Sequence, residues 1–432
     1  MPVCFIHGVN VRKDDPSYDR DVAARDELIR SLLLKPLAQR NPRYGGLKII
    51  NPYWGGLGVT HAWGQATVPN VSLLEDLGTA QSNFQSDLEL TMLLKEQRGT
   101  ASELEALGAA DPIAAAARRD VQALLEAVLA PLIYSEEPLV DRGPTLDAEA
   151  HGALEGMLLA AAQEIAADSA VVAEVQAAPS GNAALDLLRD RLAERFTKRA
   201  SLAAKPADAG EGANLEELGP SWLTGAKDRI QQLFDRAKSK AGRALSAGTL
   251  DAYRARLHAQ IGRFLGDVFA YLQHRGDRAS PGPIPKLVLD EIHKARKSGG
   301  PLVLITHSMG GNILYDLLTT FDPALEVDAW ISVGGQVGQF EEMKLFLASD
   351  PALGPPAKVK PFGGRVKTWL NVYDPVDVLS FLIAPVLESA DPRFVIKDLR
   401  FKSGASTLEA HGAYLKRPSF YTLIAKELEQ RV

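Results

Sequence analysis

The sequence predicts an α/β protein, with a mostly parallel sheet flanked by helices and a large all-helical insertion. Short apolar, β-branched runs alternate with helical patterns at both ends of the chain. A long stretch rich in Ala, Leu, Glu and Arg separates the two ends. The third observation is "LVLITHSMGGNILYDLL", residues 302–318, where a buried-strand pattern runs straight into a helical one with a serine at the join.

Taken in order, residues 1–63 carry a strand over 3–6, a turn at "HGVN", a helix from 18 to about 37, and a second strand within "LKIINPYWGG". Over 64–248 strand signals nearly vanish. Helices are expected over 73–97, 113–132, 146–168, 183–198 and 225–247, separated by breaks such as "SEEPLVDRGP" and "APSGN". The break around 203–214 is small, charged and poor in large apolar residues, the composition of a mobile linker. Alternation returns with a helix over 249–273 and another over 286–297, then strands over 302–306, 328–333, 366–373 and 394–401. The simplest assembly makes 1–63 and 249–432 one catalytic-type core and 64–248 an insertion.

Composition excludes several classes. At 432 residues and 46% hydrophobic, the chain buries a core without covalent staples. A net charge of −6 argues against nucleic-acid binding, which needs a sustained excess of Lys and Arg. With one cysteine, Cys4, neither an intramolecular disulfide nor a cysteine zinc site can form, and Cys4 is expected as a small buried hydrophobe. His61, His151, His258, His274 and His293 show no metal-ligand spacing, so no metal and no cofactor is expected. The start "MPVCFIHGVN" lacks leader character, and even "GMLLAAAQEIAADSAVVAEV" is broken by Glu164 and Asp168. A cytoplasmic protein is expected.

The serine is the residue that needs explaining. Between a parallel strand and its following helix, Ser308 sits at the carboxyl edge of the sheet, where open α/β folds bind ligands. In a nucleophile elbow the residues two before and two after the serine must be small; here they are Thr306 and Gly310. The alternative is that Ser308 only caps the helix. A reactive serine needs a base, and the base an orienting acid, on later strands. "VKTWLNVYDPVDVLSF" offers Asp374 and Asp377, and "FVIKDLRFKSGASTLEAHGAYL" offers His411.

With these residues the chain resembles the α/β-hydrolase superfamily, in particular intracellular lipase and serine-esterase branches whose elbow reads His-Ser-Met-Gly-Gly. The resemblance covers about 1–63 and 250–432 and leaves the middle region out. It implies Ser308 as nucleophile, His411 as general base and Asp377 as orienting acid, because the family's acid commonly precedes an apolar run such as "DVLS"; Asp374 is the alternative acid. Thr306 departs from the family's Gly-x-Ser-x-Gly, and its β-branch crowds the turn. The early "FIHGVN" matches the family's His-Gly loop, which implies an oxyanion hole from the N–H groups of Val9 and Met309, with Gly8 bending the loop and His7 bracing it. His307 is expected to be structural.

The implied activity is ester hydrolysis on an ester or lipid substrate. A thioesterase, peptidase or acyltransferase would use the same triad, and an idle scaffold that binds a protein partner through its insertion is the alternative of a different class. An enzyme held off by its insertion or a partner is a further option that the helical insertion permits. The insertion is long enough to be a helical lid, a lipid-binding wall or a partner-binding region. From Gly225 to Leu245, Ile230, Leu233, Phe234, Ala237, Ala241 and Leu245 share one face opposite a basic one. Such a helix lies on an anionic membrane surface or packs its stripe inside the protein; the sequence favours packing, since any surface helix shows one apolar stripe.

Overall fold

The computed structural model describes residues 2–64, 66–67, 90, 93, 111–134, 139, 147–203, 221–240, 248–297, 299–405 and 410–431. Six strands form one parallel sheet: β1 (Pro2–Ile6), β2 (Lys48–Ile50), β3 (Val303–His307), β4 (Ala329–Val333), β5 (Thr368–Tyr373) and β6 (Val395–Arg400), in the order β2-β1-β3-β4-β5-β6. The class is therefore α/β. The central strands are buried on both faces, which is why they read as continuous apolar runs. Pairing of β1 with β3, from Val3 opposite Val303 to Ile6 opposite Thr306, joins the two ends of the chain in one sheet. Loops leaving the carboxyl ends of β1, β3, β4 and β5 consequently converge on one edge.

The expected 18–37 helix is α1 (Tyr18–Leu28), a π-helical stretch over Ile29–Leu34, and α2 (Lys35–Arg40). The single helix expected over 113–132 is two, α3 (Pro112–Arg119) and α4 (Val121–Tyr134). Asp120 divides them and its carboxylate accepts the Ala123 N–H at 2.9 Å. Next come α5 (Ala148–Ala167), α6 (Ser169–Gln176) and α7 (Gly181–Ala203). The helix α6 is absent from the sequence reading. It is capped by Asp168, which accepts the Ala170 N–H at 3.1 Å and pairs with Arg195 at 2.6 Å. The remaining described α-helices are α8 (Ser221–Lys240), α9 (Gly248–His274), α10 (Pro283–Arg296), α11 (Met309–Asp316), continued by a π-helical stretch over Leu317–Phe321, α12 (Val337–Glu342), α13 (Ala410–Ala413) and α14 (Pro418–Glu429). The expected 73–97 helix falls almost wholly, and the 203–214 break apart from residue 203, outside the described residues.

Two apolar clusters lie on opposite faces of the sheet. One holds Cys4, Leu304, Trp330 and Trp369 against α9, α10 and α11. The other holds Phe5, Ile305 and Leu370 together with Leu124, Leu158, Leu188 and Phe234 of the helical insertion. The described insertion therefore shares its core with the sheet rather than enclosing one of its own. Two glycines of α5 permit its close crossing of α1: a Cβ on Gly152 would meet the Arg20 carbonyl, and one on Gly156 would lie 2.8 Å from the Ala24 carbonyl. Ile230, Leu233, Phe234 and Ala237 of α8 are buried in this cluster, so their stripe is not open to a membrane; Ala241 and Leu245 lie outside the described residues. Among the described residues no single helix is long and apolar enough to cross a membrane.

Candidate active site

Ser308 is the single residue between β3 and α11, and it adopts φ 52° and ψ −126°. This conformation is strained for any residue with a Cβ, at about 1–3 kcal/mol. Neighbouring backbone holds it: the Ser308 N–H donates to the Val333 carbonyl, and its own carbonyl accepts the Gly311 N–H, both at 2.9 Å. Its side chain makes no capping bond to the helix. Instead Oγ lies 2.9 Å from His411 Nε2, and Nδ1 of that ring lies 3.0 Å from Asp377 Oδ2. With the imidazole neutral, the hydroxyl donates to Nε2 and Nδ1–H donates to the carboxylate.

The tight bend depends on missing side chains. A Cβ on Gly8 would stand 2.8 Å from Ser308 Cβ, and one on Gly310 would strike the Ile6 carbonyl. Thr306 fits because its hydroxyl is used: Trp330 Nε1–H donates to Oγ1 at 2.9 Å, and the residue is fully buried. The hydroxyl thus lies on the tryptophan face of the sheet, where a Cβ on Gly311 would be 3.5 Å from it.

Asp377 and Asp374 are both buried but do different work. Asp377 accepts the Leu379 N–H at 2.9 Å and the Tyr414 hydroxyl at 3.0 Å besides His411. Burial alone would raise its carboxyl, yet the His411 contact and these donors hold it below the usual aspartate range. Asp374 makes no contact with His411; its Oδ2 accepts both the N–H and the hydroxyl of Ser403, each at 2.7 Å. The tyrosine links the two, since Tyr414 Oη accepts the Asp374 N–H at 2.7 Å. Gly334, at φ 56°, lies against the His411–Asp377 pair, and a Cβ there would come within 3.2 Å of both Asp377 Oδ2 and His411 Nδ1.

The "HGVN" loop is fixed from three sides. His7 Nδ1–H donates to the Gly8 carbonyl at 2.7 Å, and Nε2 accepts the Trp54 N–H at 3.1 Å. Burial lowers this imidazole to about 4, so it stays neutral and braces the loop. Asn10, at φ 64°, turns the chain, and its N–H donates to Asp267 Oδ2 at 3.0 Å. The fully buried Asp267 also holds Arg12 at 2.6 Å and the Val59 N–H at 2.8 Å. Val9 sits inside this loop with no acceptor for its N–H among the described residues, and Met309, as the first residue of α11, has no intrahelical acceptor for its own. His307 is positioned by chemistry rather than packing alone: its Nε2–H donates to the His411 carbonyl at 2.7 Å. Burial, then the neighbouring His411, depress its imidazole to about 3.

Sequence reasoning missed Tyr414, Gly334, Asp267 and the bond from His307 to His411. Each partner lies dozens to hundreds of residues away, so no local pattern marks it. Among the described residues no cluster of His, Cys, Asp and Glu could hold a metal ion, and Cys4 is buried, its thiol pushed up to about 12 mainly by burial. The arrangement can pass a proton from a serine hydroxyl to an imidazole held by a carboxylate, beside two unpaired backbone N–H groups. No family model, no curated protein and no solved structure matches this chain.

Proposed function

We propose that the chain is an α/β-hydrolase-fold serine hydrolase that cleaves carboxylic esters, lipase-like in its apolar surroundings. The observation that carries this reading is the connected Ser308–His411–Asp377 relay, with contacts of 2.9 and 3.0 Å, on a strained strand-to-helix bend. His411 Nε2 takes the Ser308 proton as Oγ attacks the ester carbonyl carbon. The N–H groups of Val9 and Met309 receive the oxyanion as the carbonyl π bond opens. When the carbon–oxygen bond breaks, His411 returns the proton to the leaving alcohol. Water, deprotonated by the same imidazole, then releases the acyl group and restores the serine. Asp377 keeps the proton of the resting imidazole on Nδ1 and stabilises the imidazolium in each half-reaction.

An apolar substrate is supported by the exposed Val376 and Val378, which flank Asp377 in sequence, and by the exposed Leu382 on the loop that Gly338 touches. The test is labelling with a fluorophosphonate, comparing wild type with Ser308→Ala and His411→Ala, followed by a panel of esters, thioesters and amides. Labelling of wild type alone, with turnover lowered by several orders of magnitude in both variants, is the expected result. Full hydrolysis by Ser308→Ala would refute it.

A further inference from the structure

A cavity of about 260 Å3 lies between β1, α1 and the insertion helices α4 and α5. Three of its lining residues are the chain neighbours of the reactive set: Asn10 follows Val9, His307 precedes Ser308, and Gly412 follows His411. Leu28, Leu132 and Leu159 give it an apolar body, the latter two coming from the insertion. Three of the charges around it are matched: Arg12 with Asp267 at 2.6 Å, Arg25 with Asp26 at 2.8 Å, and Lys416 with Asp21 at 3.1 Å, while the exposed Asp15 accepts the Ser17 N–H and hydroxyl at 2.9 Å. A charged arm beside any of these three pairs would have to compete with it, so the buried lining suits an uncharged one.

One polar group in this wall stands out. Glu155 of α5 lines the cavity, is 3% exposed, and its Oε1 has no hydrogen-bond partner among the described residues; Oε2 is 3.6 Å from Arg20 Nε. A buried polar atom without a partner is costly unless something else supplies one.

We propose that this cavity takes one apolar arm of an uncharged ester, and that Glu155 selects arms carrying a neutral hydrogen-bonding group such as a hydroxyl. This use of the cavity rests on the ester-hydrolase reading above. Burial pushes the Glu155 carboxyl up to about 8, against the pull of Arg20, so near neutral pH it is an O–H that donates to the arm. The helical insertion would then act in substrate choice, with α4 and α5 as the distal wall and the sheet supplying the chemistry.

The experiment measures kcat/KM on two ester series, one lengthened in the acyl arm and one in the alkoxy arm, each with and without a hydroxyl. Wild type is compared with Glu155→Leu, Leu159→Trp and Val22→Trp; Val22 is half-buried and lines the cavity from α1, so its substitution fills the same space if Leu159→Trp does not fold. In wild type, lengthening one arm raises kcat/KM by about tenfold or more, and the hydroxyl by about tenfold again. A tryptophan in the cavity abolishes the length gain, whereas Glu155→Leu abolishes only the hydroxyl preference. Indifference to both arms, a length gain that survives both tryptophans, or a hydroxyl preference that survives Glu155→Leu would overturn the proposal. Fluorophosphonate labelling separates the two levels: a labelled wild type without arm selectivity removes the cavity assignment alone. An unlabelled, folded wild type removes the esterase reading and the cavity assignment together.

Discussion

Replacing Tyr414 by Phe removes one oxygen from the centre of the site and leaves the ring in place. The ring is fully buried and packs beside Phe401 at 5.8 Å, so the substitution keeps the volume filled. Two bonds are lost: the donor to Asp377 Oδ2 at 3.0 Å and the acceptor for the Asp374 N–H at 2.7 Å. A hydrogen bond to a charged group contributes about 1.5–3 kcal/mol, and a buried N–H left unpaired costs about 1–3 kcal/mol. Because the two share one oxygen, a total loss of about 2–4 kcal/mol is expected. Asp377 also loses one of the donors that hold its carboxylate in place for His411, and about 1.4 kcal/mol of that loss felt in the transition state would slow reaction tenfold. Thermal unfolding and the rate of fluorophosphonate labelling, run on the same preparation, read the two effects separately. A Tyr414→Phe protein that melts and labels like wild type would refute the reasoning that Tyr414 ties Asp377 to the end of β5.

Gly334→Ala places a Cβ within 3.2 Å of Asp377 Oδ2 and His411 Nδ1 at a positive φ, so a loss of about 1–2 kcal/mol and slower labelling are expected; an unchanged labelling rate would contradict the contact. Asp267→Asn leaves Arg12 without its carboxylate and loosens the loop that carries Val9, with a loss of about 3 kcal/mol and a lower kcat at similar KM; unaltered melting would show that the pair is not needed. Glu155 has its folded value raised from 4.5 to about 8 by burial, with Arg20, Asp21, Lys416 and Arg229 as the charged groups acting on it. The native state therefore keeps a proton that the unfolded chain releases, and stability falls as pH rises between those values. Glu155→Gln should flatten that slope and gain a few kcal/mol above about pH 8 but little near pH 4, which parallel melts across pH will check. For His7 and His307, lowered to about 4 and about 3, the sign is opposite. The unfolded chain binds protons that the native state refuses, so stability falls as pH drops below about 6.5.

The described strands after residue 300 were legible to within about two residues, β3 and β4 because a doubly buried strand is apolar nearly throughout, and the half-buried edge strand β6 from the turn residues that bound it. Most of the described helices were legible too, but not α6 or the break between α3 and α4. Asp120 interrupts a run that otherwise reads as one helix, and only its capping bond shows that the chain turns there; the helix end at Asp168 was legible, but not that a further helix follows it. The small stripe Gly152 and Gly156 reads as weak helix; its use as a close crossing with α1 needs the partner helix in view.

What the sequence determined by itself was the α/β class and the placement of Ser308 between a strand and a helix, because both rest on local periodicity. Local pattern alone left both Asp374 and Asp377, three residues apart in one loop, and only the family resemblance preferred Asp377. Their side chains diverge through the turn, and only the approach of His411 and Tyr414 from another part of the chain assigns one to the imidazole and the other to Ser403. The same holds for the insertion. Its amphipathic pattern states that an apolar face must be covered, but not by what, and the tertiary structure covers it with the face of the sheet that carries Phe5 and Ile305. Burial and hydrogen bonding between segments far apart in sequence are decided by how the whole chain closes, and that information is not local.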